Sequence, residues 1–225
     1  GILAAILLTL CYSLGLRKRF KQRALGATIG WLQFHIYGGT LFLVLLLMHT
    51  GFRLPTGLFS WIIFLLSLVV AVSGFVGTLL QKWIPYSLAH GTQVEAIYER
   101  IPELVGKLRD EADALARGTS KQFLDFFRAE AVPALAGPQP SMSFLLDVTG
   151  GIHQRLAVFE HVTPFLTAEE KERLEDLRQI LLEKNGLDAQ MSLQRILRGW
   201  TWFHVPASSI LFVMMLIHIG VALYY

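Results

Sequence analysis

The chain has 225 residues, of which 53% are hydrophobic and 16% charged, with a mean hydropathy of +0.49 and a formal net charge of +3. That balance is too apolar for an ordinary soluble domain of this length and points to an integral membrane protein. The single cysteine, Cys11, excludes an internal disulfide, a four-cysteine iron–sulfur cluster and a covalent CxxCH haem attachment, so any cofactor is held without cysteine.

All 17 acidic residues lie between Glu95 and Asp188, leaving the apolar segments and their short links without Asp or Glu. Residues 2–16 (ILAAILLTLCYSLGL) read as the visible end of a first transmembrane helix, slightly short for a full crossing from Ile2. The chain starts at Gly1 without a methionine, so the natural N-terminus is expected to be longer. A signal-peptide core is disfavoured, because the charges follow the apolar run and no small-residue cleavage pattern appears. RKRFKQR, from Arg17 to Arg23, is the densest basic cluster and by the positive-inside rule marks a cytoplasmic loop. Arg17, Arg19 and Arg23 are also candidate partners for an anionic cofactor group.

Residues 28–51 then run outward and carry His35 and His49, fourteen positions apart. At about 100° and 1.5 Å per residue the two imidazoles return to within roughly 40° of one helix face and stand roughly 21 Å apart along the axis. One therefore lies near each edge of a hydrocarbon layer about 30 Å thick. Gly51 to Gly57 form a turn that includes Arg53, and residues 58–81 return inward as a third helix, with Lys82 and Trp83 as interfacial anchors. On that helix Ser73, Gly74 and Gly77 leave one face without bulk, which suits either close helix packing or a flat ring. Gly38 and Gly39, one turn after His35, allow the same two readings.

From Ile84 to Arg198 the sequence becomes polar and charged and is interrupted by Pro85, Pro102, Pro133, Pro138, Pro140 and Pro164, which excludes further spans. Glu95 to Leu115 has apolar residues at helical spacing, from Ile97 to Leu115. Gly137 to Pro140 reads as a loop. Thr167-Ala-Glu-Glu170 is a capping box that opens a helix through Leu182, with Asn185-Gly186 as its stop. This insert is expected on the cytoplasmic side. Its mixed charges leave no nucleic-acid footprint, and docking a partner subunit or covering the inner mouth of the bundle are its expected roles.

A fourth span, residues 199–225, starts at the cytoplasmic face with Pro206 just inside the helix and carries His204 and His218, again fourteen apart. It runs parallel to the second span, which pairs His35 with His204 at the inner level and His49 with His218 at the outer. Ionisable side chains at such depth are costly unless paired or coordinated. Zinc takes four protein ligands, or three and an open site, and fits two-histidine sites poorly. Haem iron accepts two axial imidazoles while its porphyrin fills the gap between helices, so non-covalent, bis-histidine haem b is the better match. His90, His153 and His161 lie in the polar insert and read as surface or capping groups. Arg53 at the outer turn and Arg198 at the inner side are candidate partners for haem propionates.

The predicted fold is therefore all-α: a membrane four-helix bundle with a mostly helical cytoplasmic insert between helices 3 and 4. Its parts are residues 1–83, 84–198 and 199–225. The pairs His35/His49 and His204/His218 resemble the dihaem core shared by cytochrome b of the quinol-oxidising cytochrome bc complexes and by ferric-reductase-like transmembrane proteins. The resemblance covers the four apolar segments, slightly under half of the chain. It implies two stacked haems that carry electrons across a respiratory-type inner membrane, exchange with quinone at one side, and partner subunits of a redox complex, rather than a stand-alone enzyme. The sequence departs from that pattern in lacking a PEWY quinol-oxidation motif, for which Ile101-Pro-Glu-Leu104 is only a fragment, and a flavin and nicotinamide domain. The alternative is a transmembrane signalling or assembly anchor without cofactor, whose output is the insert.

Overall fold

Thr28–His49 and Leu58–Gly91 have almost no charge to interrupt them, and each forms one unbroken helix, here α2 and α3. The computed structural model describes residues 1–19, 28–91, 97–147, 149 and 151–224, with the side chains of all but 14–19, 28, 85–91 and 153–155. The side chains of Arg17, Arg19, His90 and His153, and the whole of Arg23 and Glu95, lie outside the described residues. Among those described, every regular element is helical. Besides α2 and α3 these include α1 (Ile2–Arg19), α4 (Ile101–Leu115), α5 (Lys121–Phe126), α6 (Val132–Ala134), α7 (Ile152–Val162) and α8 (Ala168–Tyr224).

Three of these helices, α2, α3 and α8, are long and apolar enough to cross a membrane. The apolar part of α1 among the described residues, Ile2–Ser13, is shorter than a span requires. The third helix does not end at Lys82 and Trp83 but continues through Pro85 to Gly91. A proline inside a helix removes one hydrogen bond and crowds the carbonyl four residues earlier, and α3 continues past Pro85 in spite of both.

One unit comprises Gly1–Gln81 with Leu197–Tyr225. Its apolar core takes Ala4 and Leu8 from α1, Phe42 from α2, and Leu211 and Met215 from α8, with Ile63 and Val70 of α3 packed against them. Tyr12 of α1 stacks on Phe212 at 4.5 Å between ring centroids. Large apolar side chains such as Leu41, Val44, Leu65, Val72 and Ile217 face outward, whereas Ser67, Ser73 and His204 are buried. Polar groups inside and aliphatic groups outside is the reverse of a water-soluble domain and suits a lipid surround.

The end of α2 is fixed immediately after His49. Phe52 N donates to Leu47 O at 2.9 Å and Gly51 N to Met48 O at 3.1 Å. Gly51 is left-handed with φ 61°. This Schellman closure satisfies carbonyls that the helix end would otherwise leave unpaired.

The second unit, Lys82–Ile196, has its own core. Ile101, Val105, Leu108 and Ala112 form the buried stripe of α4 and meet Phe123 and Leu177. The helix starts at Ile101 rather than near Glu95, with Pro102 in its first turn, where a missing amide costs little. Ile97 is consequently exposed and stands outside the stripe.

At the start of α8 the capping box closes in both directions. Glu170 N donates to Thr167 Oγ1 at 3.3 Å, and Thr167 N donates to the Glu170 carboxylate at 3.0 Å. Ser120 N, at the start of α5, also donates to Glu170 Oε1 at 2.7 Å. The Ser120 amide first, then the Thr167 amide, pulls the Glu170 carboxyl down to about 2. Because the folded value is depressed, this stabilisation is complete above the ordinary carboxylate range and is lost as pH falls towards 2. Glu170→Gln is therefore expected to lower the melting temperature of the full chain by a few degrees at pH 7. The gap to wild type should close as both are titrated through pH 4 to 2, as followed by circular dichroism.

Asn185-Gly186 does not stop this helix; α8 runs without a break through both residues to Tyr224. Asn185 and the positions after it are occupied in holding loops. Asn185 Nδ2 donates to Thr149 O at 2.8 Å, Gln139 N donates to Asp188 Oδ1 at 2.8 Å, and Ser141 N donates to Ser192 Oγ at 3.0 Å. Lys184 and Asp188, 3% and 5% exposed, form a buried ion pair one turn apart. Tertiary burial on all sides thus overrides the local signal of an Asn-Gly pair. Pro206, itself exposed, also lies in the interior of α8 and not near a helix start.

Candidate functional site

His35 and His49 on α2 meet His204 and His218 on α8 in two separate pairs. The rings of His35 and His204 have centroids 6.2 Å apart at an interplanar angle of 78°. Those of His49 and His218 are 6.4 Å apart, again at 78°. Two contacts of one geometry, fourteen residues apart on both helices, require α2 and the C-terminal part of α8 to run side by side in the same direction. The levels are roughly 21 Å apart along the axes.

Two imidazoles joined directly by an N–H···N bond of about 2.9 Å would bring their centroids to roughly 5.2 Å. Two imidazoles bound on opposite sides of one metal, about 2 Å from each nitrogen, would stand roughly 6.3 Å apart, and rings in plain edge-to-face contact span about 4.5–7 Å. The observed 6.2 and 6.4 Å are longer than the first spacing and compatible with the second and the third.

Hydrogen bonds settle which ring nitrogen is available at the first pair. His35 Nδ1 donates to the Cys11 carbonyl at 3.1 Å, an acceptor with no hydrogen to give. His204 Nδ1 and Ser73 Oγ are 2.7 Å apart. The Ser73 hydroxyl already donates to Val70 O at 2.9 Å, so Ser73 Oγ accepts from His204 Nδ1. Both rings therefore carry a proton on Nδ1, so in the neutral form Nε2 is the nitrogen with the lone pair. Metal-binding histidines are commonly oriented in this way.

Around His204 the sequence alone misses one contributor, Trp200. Trp200, one turn earlier, stacks on the imidazole with centroids 5.2 Å apart and planes 22° apart. Its Nε1 donates to Ser73 O at 2.7 Å. Gly77 makes room for that indole, since a Cβ there would lie 1.9 Å from Trp200 Cζ2. Only the Trp200–His204 spacing of four residues was a usable signal. Of the small residues singled out from the sequence, Gly77 and Gly38 serve close packing, Gly38 against Cys11 Sγ, and a Cβ on Gly39 would meet nothing within 4 Å. Gly77→Ala is expected to displace Trp200 and destabilise the full chain by about 1–3 kcal/mol, the usual range for overpacking. Thermal unfolding in detergent, read by tryptophan fluorescence, checks it.

Arg53 is exposed in the α2–α3 turn, four residues after His49, and Arg198 is exposed on α8, six residues before His204. Each lies near the level of one pair along the sequence. His161 is exposed in the second unit and meets neither pair. Among the described residues no group of three or more His, Cys, Asp and Glu gathers to hold a metal ion by itself. The donor set is two imidazoles per level, which fits a planar macrocycle that supplies its own equatorial nitrogens.

No family model matches this chain, and neither a curated protein nor a solved structure is significantly similar to it.

Proposed function

We propose that this chain is a membrane cytochrome b subunit in which His35 with His204, and His49 with His218, each hold one non-covalent haem b. The observation that carries this reading is the nearly equal separation, 6.2 and 6.4 Å, of two imidazole pairs on parallel apolar helices. On this reading α1, α2, α3 and the apolar part of α8 act as a four-helix bundle. When bound, the two haem irons supply one-electron chemistry at two depths.

The protein's part is orientation and exclusion. Cys11 O and Ser73 Oγ accept the Nδ1 protons and hold the His35 and His204 rings with Nε2 free. His204 is buried, His35 and His218 are half-buried and His49 is exposed, so on this reading lipid completes the cover of the pairs, and moving a charge between the levels is coupled to the membrane potential at about 2.3 kcal/mol per 100 mV for a full crossing. Arg53 and Arg198 are the candidate cations for the propionates. The Arg17 to Arg23 cluster puts the second unit on the cytoplasmic side by the positive-inside rule. That unit is then the natural dock for a partner redox subunit, with quinone as the small-molecule partner of such a conduit.

Liposomes containing the haem-loaded full chain test the function. With dithionite outside and ferricyanide enclosed, the internal ferricyanide should be bleached at a rate proportional to protein. Protein-free vesicles should stay yellow. Equal rates with and without the protein would contradict electron transfer across the bilayer.

A further inference from the structure

Resting on the haem reading above, we infer that Ser73 is a positioning residue for His204. Its hydroxyl holds that imidazole in the Nδ1–H form and sets the redox potential of the haem ligated there. The hydroxyl is fixed from both directions, since it donates to Val70 O at 2.9 Å and accepts from His204 Nδ1 at 2.7 Å. Ser73 and His204 are 6% and 8% exposed, so water does not compete for the bond. Trp200 braces the same unit twice, by stacking on the His204 ring and by donating its Nε1 to Ser73 O at 2.7 Å. A serine, a ring and an indole are thereby locked into one arrangement, with Gly77 providing the space.

The chemical consequence has a definite sign. An acceptor on Nδ1–H makes the imidazole a more basic ligand, and a more basic ligand favours the ferric state. Removing the acceptor should therefore raise the potential of one haem. His35, the other ligand at that level, uses a backbone carbonyl, which no side-chain substitution removes. Ser73 is thus the one adjustable acceptor of the pair. His49 and His218 lie a fourteen-residue step away on their helices and should not respond.

The test is redox titration of the purified, haem-loaded full chain, with low-spin ferric electron paramagnetic resonance as a second readout. For Ser73→Ala the midpoint potential of one haem should rise by about 59 mV, a tenfold change in ferric-to-ferrous preference, and that of the other should stay fixed. The ferric signal of the same haem alone should change. Ser73→Thr, which retains a hydroxyl, should restore the wild-type values. Ser73→Cys, of similar shape with a weaker acceptor, should give a smaller rise and serves if the alanine variant fails to assemble. Two haems with both potentials and both signals unmoved in Ser73→Ala would overturn the role of Ser73 and leave the haem reading intact. A wild-type protein without haem would overturn both.

Discussion

Replacing His49 by alanine is expected to remove one of two haems and leave the other, halving the haem per chain. Its ring faces His218 at 6.4 Å, while His35 and His204 face each other at the other level. Sites so far apart, with no shared partner, behave independently. His218→Ala should therefore give the same spectrum as His49→Ala, and the double variant should lose no more haem than either single one. His35→Ala and His204→Ala should remove the complementary haem. The pyridine haemochrome assay gives the stoichiometry, and ferric paramagnetic resonance shows which signal is gone. If His49→Ala matched His204→Ala instead, the pairing would be wrong.

Asp188→Ala should strongly destabilise the second unit. It leaves the Lys184 ammonium, 3% exposed, without its carboxylate, and strips Gln139 N of its acceptor. Breaking one side of a buried ion pair costs about 3–5 kcal/mol, because the remaining charge stays desolvated. Hydrogen exchange on the full chain should show loss of protection around Gln139 and along α8 near Asp188, while α2 stays protected. Lys184→Met with Asp188→Leu, an apolar replacement of both partners, should recover most of the loss. A cost for Asp188→Ala below about 1 kcal/mol, the range of an exposed pair, would mean that this pair is not desolvated.

The histidine geometry is legible in the sequence because it depends on one quantity, the helical repeat. A step of fourteen positions from His35 to His49, and again from His204 to His218, fixes a common face and a common spacing before any contact is known. What the sequence cannot show is what lies across the chain. Ser73 and His204 are separated by 131 positions, and the Cys11 carbonyl belongs to a backbone group that no side-chain pattern marks. Local stop signals mislead for a related reason. Asn185-Gly186 looks like a helix boundary, yet it sits inside α8, where burial and loop docking supply more free energy than the local preference removes. Pro206 and Pro85 likewise lie inside α8 and α3, where each removes one hydrogen bond without ending the helix.

The most direct measurement is the visible spectrum of the purified full chain, oxidised and then reduced with dithionite, with haem quantified against protein. Two matched imidazole pairs predict a b-type α band on reduction and two haems per chain. A colourless protein, with the helices intact by circular dichroism, would contradict the account and leave the four histidines as parts of a membrane anchor.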